Sequence, residues 1–181
     1  IWTSNSLTLS GHYLMVDTAR RNLFRGRFKK PEAAIRLPWT IDEDTFIEHC
    51  NQCGDCISAC NENIIELSDG DYPVINFAKG ECTFCTDCVT SCKQPLFVNH
   101  QEEEPWQITP DINSKCLALN TIFCQSCRDV CDQHAIKFRY VDSAIPKPEI
   151  IEDECNGCGA CVSVCPQQSI SLSLNHAEEV L

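Results

Sequence analysis

Sixteen cysteines fall into four groups along this chain of 181 residues, and three of the groups share one spacing. These are Cys50-x2-Cys53-x2-Cys56-x3-Cys60, Cys82-x2-Cys85-x2-Cys88-x3-Cys92 and Cys155-x2-Cys158-x2-Cys161-x3-Cys165. The remaining group, Cys116-x7-Cys124-x2-Cys127-x3-Cys131, keeps the later intervals and stretches the first. Every cysteine is used. Three thiolates two residues apart on a tight loop can converge on three irons of one cubane [4Fe-4S] cluster, while the next cysteine starts a helix that points elsewhere.

Two other chemistries use cysteines at short spacing, and both fit poorly. Zinc sites build a tetrahedron from two Cys-x2-Cys knuckles set a dozen or more residues apart, whereas here four cysteines crowd into one short segment. A disulfide framework needs an oxidising compartment, and neighbours in Cys-x2-Cys-x2-Cys are poor structural partners. At the stretched motif Cys116 could also be a plain buried thiol, which leaves the cluster count at three or four.

The elements that must position these loops are short. Hydrophobic residues make up 43% of the chain with the cysteines included, and without them about a third, so clusters are expected to replace part of the core. Alternating apolar runs follow each fourth cysteine: Ile64-Ile65-Glu66-Leu67, Leu96-Phe97-Val98, Ala135-Ile136-Lys137-Phe138 and Ile170-Ser171-Leu172-Ser173-Leu174. These read as strands, as do Pro73 to Phe77 and Pro148 to Ile151, reached through turn residues. Thr40-Ile41-Asp42-Glu43 reads as a capping box that starts a helical turn into the first cluster loop. Asn99 to Ser114, with Glu102-Glu103-Glu104, Pro105 and Pro110, reads as a linker or surface loop, its acidic triplet a solvated face.

First cysteines recurring 32, 34 and 39 residues apart indicate a duplicated unit. From Cys50 to Leu174 the chain resembles a tandem of bacterial two-cluster ferredoxins. The expected fold is therefore small α+β, with tandem two-cluster ferredoxin-like modules and cluster-built cores: 40–100 forms the first module and 101–181 the second. In such ferredoxins the last cysteine of a motif ligates the other cluster. The resemblance thus implies that Cys92 completes Cys50, Cys53 and Cys56, and Cys60 completes Cys82, Cys85 and Cys88. Cys131 would complete Cys155, Cys158 and Cys161, and Cys165 would complete Cys116, Cys124 and Cys127.

Charge is split by region. Residues 15–37 carry Arg20, Arg21, Arg25, Arg27, Lys29, Lys30 and Arg36 against Asp17 and Glu32, a net +5, which leaves −17 on residues 38–181 for the overall −12. The acidic body repels nucleic acid and anionic membrane, so a basic arm over 15–39 is expected to dock on a protein partner or to lie on the chain's own acidic surface. Arg20-Arg21-Asn22-Leu23-Phe24 resembles the start of a twin-arginine export signal, but no apolar stretch or small-residue cleavage site follows. No segment is long enough to span a membrane, and cluster assembly needs reduced thiols, so a cytoplasmic location with no membrane insertion is expected. Met15 is the only methionine, and the uncharged residues 1–14 read as a non-native leader.

Arm and motifs together are more specific than either alone. Arg20-Arg21, Leu23, Gly26-Arg27, Ile35-Arg36-Leu37-Pro38-Trp39, Phe46 ahead of His49-Cys50, and four motifs with the third one stretched resemble the NapF family, ferredoxin-type accessory proteins of the periplasmic nitrate reductase system. Only Cys165 is followed by the proline common in ferredoxin motifs, Pro166; Asn61, Lys93 and Asp132 stand at the other positions. The resemblance implies a cytoplasmic protein with several [4Fe-4S] clusters that binds the precursor of the nitrate reductase catalytic subunit and assists its iron–sulfur maturation before export, by supplying electrons or a cluster. The alternative is a soluble ferredoxin-type electron carrier to a reductase. Catalytic motifs are not in view: Gly157-Cys158-Gly159 lies in a cluster loop and lacks a dinucleotide fingerprint, so no enzyme activity is expected. His49 and His134 read as surface histidines, and Trp39 and Trp106 as packing caps rather than electron relays.

Overall fold

Each short apolar run between turn residues builds a correspondingly short element. A computed structural model describes residues 34–68, 70–141 and 143–174; the leader 1–14 and the arm residues Arg20, Arg21, Arg25 and Arg27 lie outside them. Helix α1 (Glu43–His49) opens the described chain, with Asp42 as its cap: the Asp42 carboxylate accepts the Thr45 N–H at 3.0 Å. The capping box expected at Thr40 is therefore displaced by two residues. Thr40 is held elsewhere, its hydroxyl donating to the Leu37 carbonyl and its backbone bridging Phe97.

Four one-turn helices follow, one in each cysteine motif: α2 (Asp55–Ala59), α3 (Asp87–Ser91), α4 (Ser126–Asp129) and α5 (Ala160–Ser163). Each carries the third cysteine of its motif. Three are entered through a left-handed residue, Gly54 at φ +78°, Thr86 at +65° and Gly159 at +83°. That sharp turn lets two cysteines on the loop and one on the helix face a common point.

The strands form three antiparallel pairs. Hairpin β1 (Ile65–Leu67) and β2 (Pro73–Ile75) aligns Ile65 with Ile75. Its counterpart, β4 (Ile136–Arg139) and β5 (Lys147–Ile150), aligns Ile136 with Ile150. The third pair joins β3 (Ile108–Ile112) to β6 (Ile170–Leu174), with Ile112 opposite Ile170. In the first half the equivalent closure is only the Thr40–Phe97 bridge, so the run Leu96 to Val98 is not a full strand.

Strand β3 corrects the reading of Asn99 to Ser114 as a linker. Its Thr109-Pro110-Asp111 centre looks like a loop, but a two-stranded sheet has only edges, and proline is tolerated where its nitrogen faces away from the ladder. Ile108 at 3% exposure belongs to the same apolar cluster as Leu37, Ile64, Ile65, Ile75, Phe77 and Cys88, against which Cys56, Cys60 and Cys82 pack. One core thus crosses both halves. Arg36 ties its edge together: the guanidinium donates to both Glu43 oxygens at 2.6 and 2.8 Å and to the Pro73 carbonyl at 2.9 Å, and lies over the Phe46 ring.

The halves meet at their inner cysteine loops. Cys82 N–H donates to the Cys158 carbonyl at 2.8 Å, and Trp106 Nε1 donates to the Asn156 carbonyl at 3.2 Å. Trp106 stands edge-on between Phe77 and Phe84, each ring centroid 5.8 Å away. A Cβ on Gly159 would overlap the Phe77 ring, whereas Gly54, at the same place in its own loop and with a similar φ, has nothing within 4 Å. Gly159→Ala should therefore cost roughly 2–4 kcal/mol, strain plus overpacking, against about 1 kcal/mol for Gly54→Ala. Thermal melts of the iron-loaded variants check this; equal losses would show that the loops meet less closely.

Candidate metal centres

The loop geometry gathers the cysteines in fours. One cavity is lined by Cys50, Cys53, Cys56 and Cys92, with Phe46, Ile57, Leu67 and Leu96 as apolar wall. A second is lined by Cys82, Cys85, Cys88 and Cys60 with Ile64, Ile65 and Phe84. A third has Cys116, Cys124, Cys127 and Cys165 with Leu117, Phe138 and Ile170. The remaining four associate through their thiols: Cys161 feels Cys158, Cys155 and Cys131, and Cys158 feels Cys131 and Cys155. We call these quartets 1, 2, 3 and 4 in that order.

In every quartet the fourth cysteine comes from the other motif of the same half. The helix after the third cysteine directs the chain away, so Cys60 reaches the second loop and Cys92 returns to the first. The seven-residue spacer of the stretched motif closes on itself. Asn120 N–H and side-chain nitrogen both donate to the Cys116 carbonyl, Ile122 N–H donates to Leu117, and Ala118 is 1% exposed beneath the turn. Cys116 is thereby brought back beside Cys124 and Cys127.

The donor set suits an iron–sulfur cage. All sixteen cysteines are free thiols, and soft thiolates favour such clusters. Among the described residues no group of His, Cys, Asp or Glu side chains is gathered tightly enough for a single ion; quartets 1, 2 and 3 instead line cavities. As free thiols the deepest resist ionisation. Burial pushes Cys88 and Cys161 up to about 12 and Cys56, Cys82 and Cys127 up to about 11, with neighbouring thiolates adding to the effect. Cys165 goes the other way: burial would raise it, but hydrogen bonds from the Ser169 hydroxyl and N–H outweigh that and hold it below the usual thiol range.

Neighbouring quartets lie within electrostatic reach of one another: Cys88 of Cys56, Cys82 of Cys158, and Cys161 of Cys127, so successive neighbours run in the order 1, 2, 4, 3. Neither histidine near the motifs lines a cavity: the exposed His49 bonds the Thr45 carbonyl through Nδ1, and His134 N–H caps the Cys131 carbonyl. Trp39 is buried and donates to the Glu103 carbonyl at 2.9 Å. The junction built by Trp106, Phe77, Gly157 and Gly159 was not visible in the sequence, where the two glycines read only as part of a loop.

Family models for the 4Fe-4S dicluster domain match residues 49–96 and 122–169, one in each half. The ferredoxin-type protein NapF of Escherichia coli (strain K12) is 38% identical over 164 residues, covering 91% of this chain and 99% of that protein. Its namesake in Haemophilus influenzae is 40% identical, covering 85% of this chain and 93% of the relative. A more distant relative, a component of the ion-translocating oxidoreductase complex of Methanosarcina acetivorans, is 31% identical over 68% of this chain and 46% of its own length. With two dicluster domains in tandem and this degree of identity over nearly the whole length, the chain belongs to the family of ferredoxin-type NapF proteins.

Proposed function

We propose that each quartet holds one [4Fe-4S] cluster, four in all, and that the chain is a cytoplasmic, non-catalytic maturation factor for the catalytic subunit of periplasmic nitrate reductase. The crossed gathering of all sixteen cysteines into four quartets carries the iron–sulfur part of this reading. Membership of the NapF family, together with the +5 segment ahead of a −17 body, supports the partner and the role. In this reading the first module is 40–100 and the second 101–181, the clusters complete both cores, and Arg20, Arg21, Arg25 and Arg27 dock on the immature subunit before export. Nucleic acid is no partner of so acidic a body. Among the described residues no helix is long and apolar enough to cross a membrane.

A bound cluster supplies reversible one-electron chemistry. The chain's own residues do the rest: the thiolates of each quartet hold it, aliphatic walls such as Ile57, Leu67 and Ile64 keep water from most of it, and the exposed Cys53 and Cys85 leave an edge within reach of a partner. A second reading, a soluble electron carrier to a reductase, is favoured by the succession of neighbouring quartets.

Anaerobic co-purification with the nitrate reductase catalytic subunit separates the two. Capture of the cofactor-free precursor alone is the result expected of a maturation factor; capture of the mature enzyme, or of neither, moves the conclusion to the carrier. Changing Arg20, Arg21, Arg25 and Arg27 together to glutamine should keep the iron and weaken precursor binding by about tenfold at low salt. Lost iron with unchanged binding would make the arm a structural element instead.

A further inference from the structure

The four quartets share a backbone plan but differ in the side chains beside their sulfurs. Four positions after its last cysteine each motif buries one residue, and in three motifs it is aliphatic: Ile64, Leu96 and Ala135. The fourth is Ser169, 1% exposed. Its hydroxyl lies 3.1 Å from Cys165 Sγ, and its N–H donates to the same sulfur at 3.3 Å. Against a thiolate the hydroxyl must be the donor. The residue that follows strand β3 holds it in place: Asn113 N–H donates to the Ser169 carbonyl at 2.9 Å. Cys165 belongs to quartet 3.

Two further positions also differ. The residue before the third cysteine is Asp55, Asp87 or Ala160 elsewhere, but Ser126 at quartet 3, with its hydroxyl 3.7 Å from Cys124 Sγ. The residue after it is Ile57, Val89 or Val162 elsewhere, but Arg128 here. Its guanidinium lies over Phe138, which walls the quartet 3 cavity, and its pairing with Asp129 meets that acidic charge. Quartet 3 thus gains hydrogen-bond donors at two positions, whereas the charges of Arg128 and Asp129 offset each other, as those of Lys93 and Asp55, 3.5 Å apart, do beside quartet 1.

We infer that quartet 3 is the centre of highest reduction potential in this protein, and that Ser169 is the residue that sets it apart. The inference rests on the reading that the quartets hold [4Fe-4S] clusters. Reduction adds one electron to a centre, with no bond made or broken in the chain, and the added negative charge spreads onto the sulfurs. Hydrogen bonds to sulfur stabilise that state. Quartet 3 also ends the succession of neighbouring quartets, so the site that is easiest to reduce is a terminal one.

Anaerobic potentiometric titration of the full chain, followed by electron paramagnetic resonance, tests this, with the quartet 3 signal assigned as the one lost in Cys165→Ala. In the wild type that signal should have the most positive midpoint. Ser169→Ala, which places at this position the residue already present as Ala135, should keep iron and sulfide and lower that midpoint alone. A tenfold change in its reduction equilibrium would be about 59 mV. Ser126→Ala, at an exposed position and with a longer contact to Cys124 Sγ, should lower the same midpoint by less. Full iron with unmoved midpoints in both variants, or a most positive midpoint belonging to another quartet, would overturn the inference. Iron lost from quartet 3 in Ser169→Ala would make Ser169 structural and refute its tuning role. A wild type without clusters would instead sink the cluster reading itself.

Discussion

Cys92→Ala should strip iron from the cavity of Cys50, Cys53 and Cys56 and leave the loop in which it lies loaded. The expected loss is about four of roughly sixteen irons per chain. Crossed completion makes this prediction sharp in double variants. Cys53→Ala with Cys92→Ala removes two walls of one cavity and should cost no more iron than either change alone. Cys53→Ala with Cys60→Ala touches two cavities and should cost about eight irons. The same logic applies in the second half, where Cys116→Ala and Cys165→Ala fall on one cavity and should not add. Iron and acid-labile sulfide analysis of anaerobically purified protein decides the matter. If Cys53 and Cys92 behave as independent sites, the quartets are not the binding units; if Cys116→Ala leaves iron unchanged, Cys116 is a bystander, and a total of about twelve or about sixteen irons then says whether three clusters or four are held.

Removing the clusters should unfold the described body. Its helices run from 4 to 7 residues and its sheets have two strands each, and neither kind of element is stable alone in water. The buried apolar set is small and is interleaved with thiols such as Cys56, Cys60, Cys82 and Cys88. Chelation under reducing conditions should therefore abolish the near-ultraviolet circular dichroism, and only iron with sulfide should restore it. A native-like apoprotein spectrum would show that the apolar core suffices.

The pH dependence follows from the buried thiols. Loading replaces a proton by iron at each cysteine, and burial has pushed Cys88 and Cys161 up to about 12, so at neutral pH those protons must leave. Loading should rise with pH, and acid should release iron. Whatever fold the apoprotein keeps has the opposite trend. A thiol whose folded pKa is raised costs nothing below its ordinary value of 9.0, where both states are protonated, and weakens the fold as pH climbs from there toward 12, because only the unfolded chain ionises freely. Iron uptake that fell as pH rose from roughly 6.5 to roughly 8.5 would contradict this account.

Much of the molecule was legible in the residues. The two hairpins stand where alternating apolar runs flank turn residues, and the helix before Cys50 was signalled by the capping-box pattern over Thr40 to Glu43, although its cap proved to be Asp42 rather than Thr40. Strand β3 was missed because proline and two polar residues masked a pattern whose meaning depends on β6, some 60 residues later. Arg36 read as one more charge in a basic segment, whereas the fold uses it to tie α1 to β2.

The chemistry of the loops follows from neighbouring residues, because a spacing of two constrains thiolates through local backbone geometry, with no help from distant chain. What those loops meet depends on how distant segments pack. Which side chain stands beside Cys165 Sγ, why Gly159 has no room for a methyl group, and that Cys82 and Cys158 join the two halves are consequences of segments far apart in sequence packing together. No local pattern encodes such contacts, since each depends on the register and burial of both partners at once.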